Sequence, residues 1–265
     1  MDKSLLYIAE PTPKAEVSLT SNEKHNAKVG KRLRLALSIG VYCVAIPLVI
    51  WLGIALWNDR KYNIVSMIIA FLACVPFFVG FEKGKTGTRE LVVIAVMTAI
   101  SVLGRVIFAP IPGFKPVTAI VIITAIAYGA QAGFLTGALS AVVSNIFYGQ
   151  GPWTPFQMFV WGIIGFIAGI LFKRGKKPNV IVLVIVGLVG GVAYSTMMDI
   201  WTVLSFGEGW SWTRYLGALA TSLPFMAIYA VSNVVFLLLL AKPFLEKLNR
   251  IGTKYNLFGA MDEQK

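Results

Sequence analysis

One uncharged stretch largely determines the fold: residues 116–172, PVTAIVIITAIAYGAQAGFLTGALSAVVSNIFYGQGPWTPFQMFVWGIIGFIAGILF, contain no Asp, Glu, Lys or Arg. A helix crosses the ~30 Å hydrocarbon core with about 20 residues, so this window is too long for two spans. Turn-forming clusters divide it at Gly129–Gly133 and at Gly149–Pro152, with Pro155 following. A short span between such clusters is tolerated at membrane depth where protein or a cavity covers its ends. We therefore expect three spans here, at about 117–130, 132–148 and 156–172.

Uncharged windows on both sides of this stretch extend the pattern to a polytopic membrane protein. Hydrophobic residues make up 57% of the 265 and charged residues 14%, whereas soluble domains carry about 25% charged residues. The composition therefore favours an all-α transmembrane helix bundle of eight spans. The five further spans are expected at about 35–57, 63–81, 90–109, 179–203 and 214–240.

The basic residues indicate how the spans are oriented. Four clusters next to the eight expected spans place sixteen Lys and Arg residues on one side, and the connections on the other side contain four. By the positive-inside rule the first side is cytoplasmic, which places both termini in the cytoplasm. The net charge of +12 is therefore interpreted as a topology signal, and no nucleic-acid partner is expected.

Residues that support catalysis or metal binding are scarce. The only histidine is His25, in a polar N-terminal segment that we expect to be a disordered tail. Asp199 is the only acidic residue inside an expected span, and no GxxxxGK[ST] nucleotide loop occurs. Cys43 and Cys74 fall inside spans and are expected to be buried thiols. We therefore expect no enzyme activity, no metal and no cofactor.

Polar and aromatic residues concentrate at the non-cytoplasmic side and predict a ligand site there. Arg105 and Asp199 are intramembrane ionisable groups, which are costly and therefore functional candidates; they either pair, face a ligand, or extend to the interface. Three connections mix turn formers with aromatic and hydrogen-bonding residues, as in a lidded cavity, although an aromatic interfacial belt is the alternative. The candidate ligand-binding residues are Arg105, Lys115, Asn145, Tyr148, Gln150, Trp153, Gln157, Trp161, Asp199 and Trp201.

Small residues recur at helical spacing in three of the expected spans. Such pairs allow helix backbones to approach closely. In a bundle rich in Gly and Ala, packing within the chain is the default explanation for such pairs. Only a pair on a face turned to another subunit needs a further explanation. The pairs are Ala95–Ala99, Gly133–Gly137 followed by Ala141, and Gly165–Gly169.

From about Arg89 to Lys242 the sequence resembles the substrate-binding S components of energy-coupling factor (ECF) vitamin transporters. The central block looks most similar to members associated with cobalamin. The run from Gly149 to Pro155 is the most distinctive part of the resemblance, and AxxxA alone is weak. The matching segments are Ala95–Ala99, Gly104–Phe108, Phe114–Ala119, Gly133–Ala141, Ser144–Asn145 and Gly149–Pro155.

The resemblance implies a fold, partners and a mechanism. It implies a six-helix core at 83–242, whereas the two additional transmembrane helices at 35–82 and the cytoplasmic tails at 1–34, which we expect to be disordered, and 243–265 are expected from the uncharged windows and the polar, basic segments. An S component captures a vitamin at the outer face and docks on a T component driven by two cytoplasmic ATPases. The docking face would contain Ala95 and Ala99. The two N-terminal helices lie outside the family's six-span pattern.

Two other functions are compatible with the residues alone. An ion-coupled carrier could use Arg105 and Asp199, but one carboxylate gives little for proton coupling and the repeats typical of such carriers are not evident. A structural membrane protein could use its basic clusters to bind anionic lipid, although the composition of the polar connections argues against this.

Overall fold

The computed structural model describes residues 88–172, 178–205 and 209–255, together with seven single positions between residues 45 and 75. The described part of the chain is all helical, which confirms the predicted helical bundle. The expected tails, His25, Cys43 and nearly all of the two N-terminal spans lie outside the described residues. The helices are α1 (Thr88–Ile107), α2 (Val117–Tyr128), α3 (Ala130–Tyr148), α4 (Thr154–Leu171), α5 (Val180–Ser205) and α6 (Trp212–Lys254).

The shortest helix, α2, lies at the centre of the bundle. Its 12 residues, VTAIVIITAIAY, are all buried and contact each of the other five helices. At 1.5 Å per residue α2 is about 18 Å long, too short to cross a bilayer alone. A helix that is apolar on every side belongs inside the protein. The expectation that surrounding protein covers this short segment is therefore confirmed.

The other five helices are long and apolar enough to cross a membrane. The last of them extends beyond its expected end near residue 240, because α6 continues to Lys254. The expected span ends before Lys242, the first charged residue after the uncharged window. The extension keeps an apolar stripe, in which Leu245, Leu248 and Gly252 are buried, and five charged residues lie from Lys242 to Lys254 inclusive.

Helices α3 and α4 approach closely through glycines. A Cβ on Gly137 would lie 2.5 Å from the backbone of Trp161, and one on Gly133 would lie 2.8 Å from the carbonyl oxygen of Gly165. The interpretation of these small residues as contacts within the chain is confirmed. The crossing also fixes Trp161 against α3. We call the end of the bundle that contains Arg105 and Lys115 the site end.

Candidate ligand-binding site

Arg105 occupies the last turn of α1 and reaches across to α3. Its Nη1 donates to Asn145 Oδ1 at 2.9 Å and also to Ser144 Oγ. The hydroxyl of Tyr148 donates to the Arg105 carbonyl at 2.9 Å. The guanidinium lies 4.6 Å from the centre of the Tyr148 ring and 5.4 Å from that of Trp161. Arg105 is therefore held by hydrogen bonds and by two aromatic faces.

Lys115, in the connection between α1 and α2, is fixed by its own backbone. Its N–H donates to Ser232 Oγ at 2.9 Å, and the Ser232 hydroxyl donates back to the Lys115 carbonyl at 3.1 Å. Earlier in the same connection, Phe108 and Phe114 pack on Phe236 of α6 at 4.9 and 5.1 Å between ring centres. The connection is therefore attached to α6, which directs the lysine side chain into the bundle.

Three aromatic rings surround the Lys115 ammonium. Nζ donates to the Tyr229 hydroxyl at 3.0 Å and lies 4.7 Å from that ring, 5.5 Å from Tyr194 and 5.7 Å from Trp161. Trp161 stacks on Tyr194 with centres 5.0 Å apart and planes 11° apart. Aromatic faces attract cations at such distances. We define the cation–aromatic cluster as Arg105, Lys115, Tyr148, Trp161, Tyr194 and Tyr229.

An amide network supports this cluster from α3 and α4. Asn145 Nδ2 donates to Thr154 Oγ1 at 2.9 Å and to Gln157 Oε1 at 2.8 Å. Gln157 Nε2 then donates to the Tyr194 hydroxyl at 3.4 Å. Gln150 joins at the edge, where its Oε1 accepts from the Thr154 hydroxyl at 3.0 Å. Asn145 thus links the arginine, the aromatic rings and the turn between α3 and α4.

The charge of the site is positive. Among the described residues no carboxylate lies within ion-pair distance of Arg105 or Lys115. Burial and, secondarily, the nearby Arg105 charge lower the pKa of Lys115 to about 7. Asp199 lies elsewhere and accepts a hydrogen bond from Ser222 of α6 at 2.6 Å. The Arg105–Asp199 pair considered from the sequence is therefore not formed.

The structure brings together six of the ten candidate residues and attaches Gln150 at the edge. Trp153 is 39% exposed and covers Gly151, while Trp201 packs on Phe156. Among the described residues, no hydrogen bond or ring contact joins Trp153, Trp201 or Asp199 to the cluster, so their part in ligand binding stays a prediction. The six that meet are Arg105, Lys115, Asn145, Tyr148, Gln157 and Trp161.

The sequence analysis did not assign several residues that complete the site. Tyr229 and Ser232 lie one turn apart on α6 and reach Lys115 through its side chain and its backbone. Polar residues at helical spacing within an otherwise apolar span were the available signal. Tyr194, Ser144 and Thr154 are uncharged residues on three different helices, and only the fold shows that they meet.

The described fold and site define a class: a multi-pass helical membrane protein with a cationic, aromatic-lined polar site inside its bundle. The family model for the ECF-type riboflavin transporter S component matches residues 85–250, and the chain belongs to this family. This membership confirms the ECF S-component resemblance. A UPF0397 protein of Aliivibrio salmonicida is 32% identical over 131 residues, which cover 44% of this chain and 71% of the relative. No solved structure matches.

Proposed function

We propose that the chain is the substrate-binding subunit of an ECF-type, ATP-driven importer and captures a vitamin or related micronutrient at the outer face. The cation–aromatic cluster carries this proposal. It gathers hydrogen-bond donors and flat apolar surfaces at one end of the bundle, as small-molecule sites do. The chain itself would catalyse no covalent reaction, and its partners would be a T component and two cytoplasmic ATPases.

Two specific substrates enter the proposal. Cobalamin is the first, because the block from Gly104 to Ala119 resembles cobalamin-associated members. Riboflavin is the second, because the matching family model is described by that vitamin. The stacked pair of Trp161 and Tyr194 offers a flat aromatic surface to the ring system of either compound.

Docking on the T component would use the exposed face of α1. Ala95 and Ala99 are both exposed, whereas Val93, Ile94 and Met97 of the same helix are buried. The glycine pairs of α3 and α4 pack against other helices of the same chain. The alanine pair of α1 is instead exposed among the described residues. A small-residue face that remains open fits the close approach of another helix.

The proposed orientation places the site end outside. The basic residues of α6, among them Lys247, Arg250 and Lys254, lie at the opposite end of the bundle from Lys115, as the positive-inside rule requires of a cytoplasmic end. A reporter that is active only in the cytoplasm, fused after Tyr255, should be active if this end of α6 lies in the cytoplasm. Activity of a periplasmic or extracellular reporter at the same position would contradict the orientation.

The binding step is tested first with the chain alone. The full chain, purified in detergent, is screened against vitamins by thermal shift, with cobalamin and riboflavin in the screen. We expect one vitamin to raise the unfolding temperature without any ATPase present. The Trp161→Ala variant should lose this shift, whereas Trp212→Ala, on an exposed tryptophan outside the cluster, should keep it.

Asp199 separates this proposal from the ion-coupled carrier. The carboxyl group is hydrogen-bonded to Ser222 and makes no contact with the cluster. In cells that also contain the T component and ATPases, Asp199→Asn should therefore retain most of the uptake and show no altered dependence on the ion gradient. Loss of uptake with binding intact would favour the carrier instead.

A further inference from the structure

We propose that the solute carries an anionic group, a carboxylate or a phosphate, next to a flat unsaturated ring. This inference rests on the proposed function and narrows its substrate class to anionic solutes, which among the flavins selects flavin mononucleotide over neutral riboflavin. Two cationic side chains, Arg105 and Lys115, contact the same ring of Trp161 at 5.4 and 5.7 Å. A site for a neutral vitamin has no need for two positive charges at this position.

Arg105 and Lys115 lack a counter-charge among the described residues. Neither cation has a carboxylate partner within the described ranges, and both are partly buried. Partly buried charges are costly unless they are paired. The neighbours that they do have are neutral: Asn145, Ser144 and Tyr229. A bound anion would supply the opposite charge that these described neighbours lack.

Both cations also have N–H groups that donate to none of the described residues. Both hydrogen bonds that the Arg105 side chain donates start from Nη1, so the Nε–Nη2 edge of the guanidinium donates to none of the described residues. That edge is the planar fork that binds carboxylate or phosphate with two parallel hydrogen bonds. Lys115 uses one of its three N–H groups on Tyr229, which leaves two for an anion.

A further donor belongs to the same Trp161 ring that both cations contact. Trp161 is fully buried, and its Nε1–H has no acceptor among the described residues. Buried N–H groups almost always have a hydrogen-bond partner. An oxygen of the solute would satisfy this donor, while the Trp161–Tyr194 stack would contact the ring that carries the anionic group.

The test compares solutes that share a ring and differ in the anionic group. The full chain in nanodiscs is titrated with flavin mononucleotide and riboflavin, with pyridoxine phosphate and pyridoxine, and with nicotinate and nicotinamide. We expect one pair to bind, with the anionic member at least tenfold tighter. Which pair binds identifies phosphate or carboxylate as the group recognised.

Variants then assign the preference to the two cations. Arg105→Gln and Lys115→Gln should make the two members of the pair bind equally, while Arg105→Lys and Lys115→Arg should keep part of the preference. Arg214→Gln is the matched control, because Arg214 hydrogen-bonds the Gly209 carbonyl outside the cluster and its loss should change nothing. Unchanged unfolding temperatures without solute show that each variant folds.

Three results would overturn the inference. The neutral member may bind as tightly as the anionic one, the glutamine variants may weaken both members equally, or no pair may bind although the complete transporter imports a neutral vitamin. In all three cases the chain would still be a substrate-binding subunit. If no vitamin is bound or imported at all, the proposed function fails as well.

Discussion

Arg105 of α1 donates through Nη1 to the side-chain oxygen of Asn145 of α3 at 2.9 Å, and Asn145 in turn holds Gln157 of α4 at 2.8 Å. A single amide therefore connects the cation to the helix that carries Trp161. The positive charge of the site depends on the neutrality of this residue. A carboxylate at the same position would be an internal counter-ion for Arg105.

Asn145→Asp should therefore weaken the binding of an anionic solute. The new carboxylate would pair with the guanidinium, oppose the incoming charge and lose the two amide donations to Thr154 and Gln157. We expect the dissociation constant to rise at least tenfold, measured by titration calorimetry. Asn179→Asp is the control, because Asn179 lies at the start of α5, on the exposed surface away from the cluster; an equal effect of both changes would contradict the account.

The affinity for an anionic solute should fall as the pH rises through about 7. The pKa of Lys115 is lowered to about 7, so the ammonium is charged below this pH and increasingly neutral above it. The other polar groups that face the ammonium are the Arg105 guanidinium and the hydroxyls of Tyr194 and Tyr229. Titrations from pH 6 to 9 measure the effect.

Lys115→Arg provides the control for this pH dependence. A guanidinium remains protonated over the whole range, so the variant should bind with an affinity that hardly changes between pH 6 and 9. A flat profile for the unaltered chain, or the same slope in both proteins, would show that Lys115 does not titrate in the site.

A bulky residue on the exposed face of α1 should separate binding from transport. Ala95→Trp places a large ring where close backbone approach to a T-component helix is proposed. We expect vitamin binding by the purified chain to be unchanged and uptake by the assembled transporter to be lost. Val189→Trp, on an exposed position of α5, should leave both intact, and survival of uptake in Ala95→Trp would remove the docking assignment.

Adding a single methyl group at the α3–α4 crossing should destabilise the protein. Gly137→Ala places a Cβ 2.5 Å from the Trp161 backbone, and such overpacking costs about 1–3 kcal/mol. The apparent unfolding temperature should fall, and the site should loosen because Trp161 moves. Gly217→Ala on α6 meets nothing within 4 Å and should leave the temperature unchanged or slightly higher; equal responses would mean that the glycine contact is unimportant.

Sequence patterns predicted the core helices because their signals are local. The turn formers around Gly129 and Gly149 ended α2 and α3 near the expected residues, and both glycines have positive φ angles of 91° and 95°, which glycine adopts at little cost. The length of α6 was not predicted, because the uncharged window that defined the expected span ends before Lys242 while the helix continues to Lys254. The spacing of Leu245 and Leu248 continued the buried stripe regardless.

The site was predicted less completely because its contacts join residues that are distant in the chain. Arg105 and Lys115 stood out as charges in an apolar chain, but their partners Ser144 and Tyr229 carry no charge. Asp199 stood out for the same reason, yet its partner is Ser222, one helix away. Only the packing of the helices decides which charges meet.

Uptake with and without the energising partners tests the central claim most directly. Cells that lack their own vitamin importers would express the chain alone, with a T component and two ATPases, or with ATPases whose nucleotide loops are inactivated, and accumulation of the labelled vitamin identified in the binding screen would be measured. The account predicts accumulation only with the complete, active set, although the chain alone binds the vitamin. Accumulation by the chain alone, or undiminished accumulation with the inactive ATPases, would contradict it.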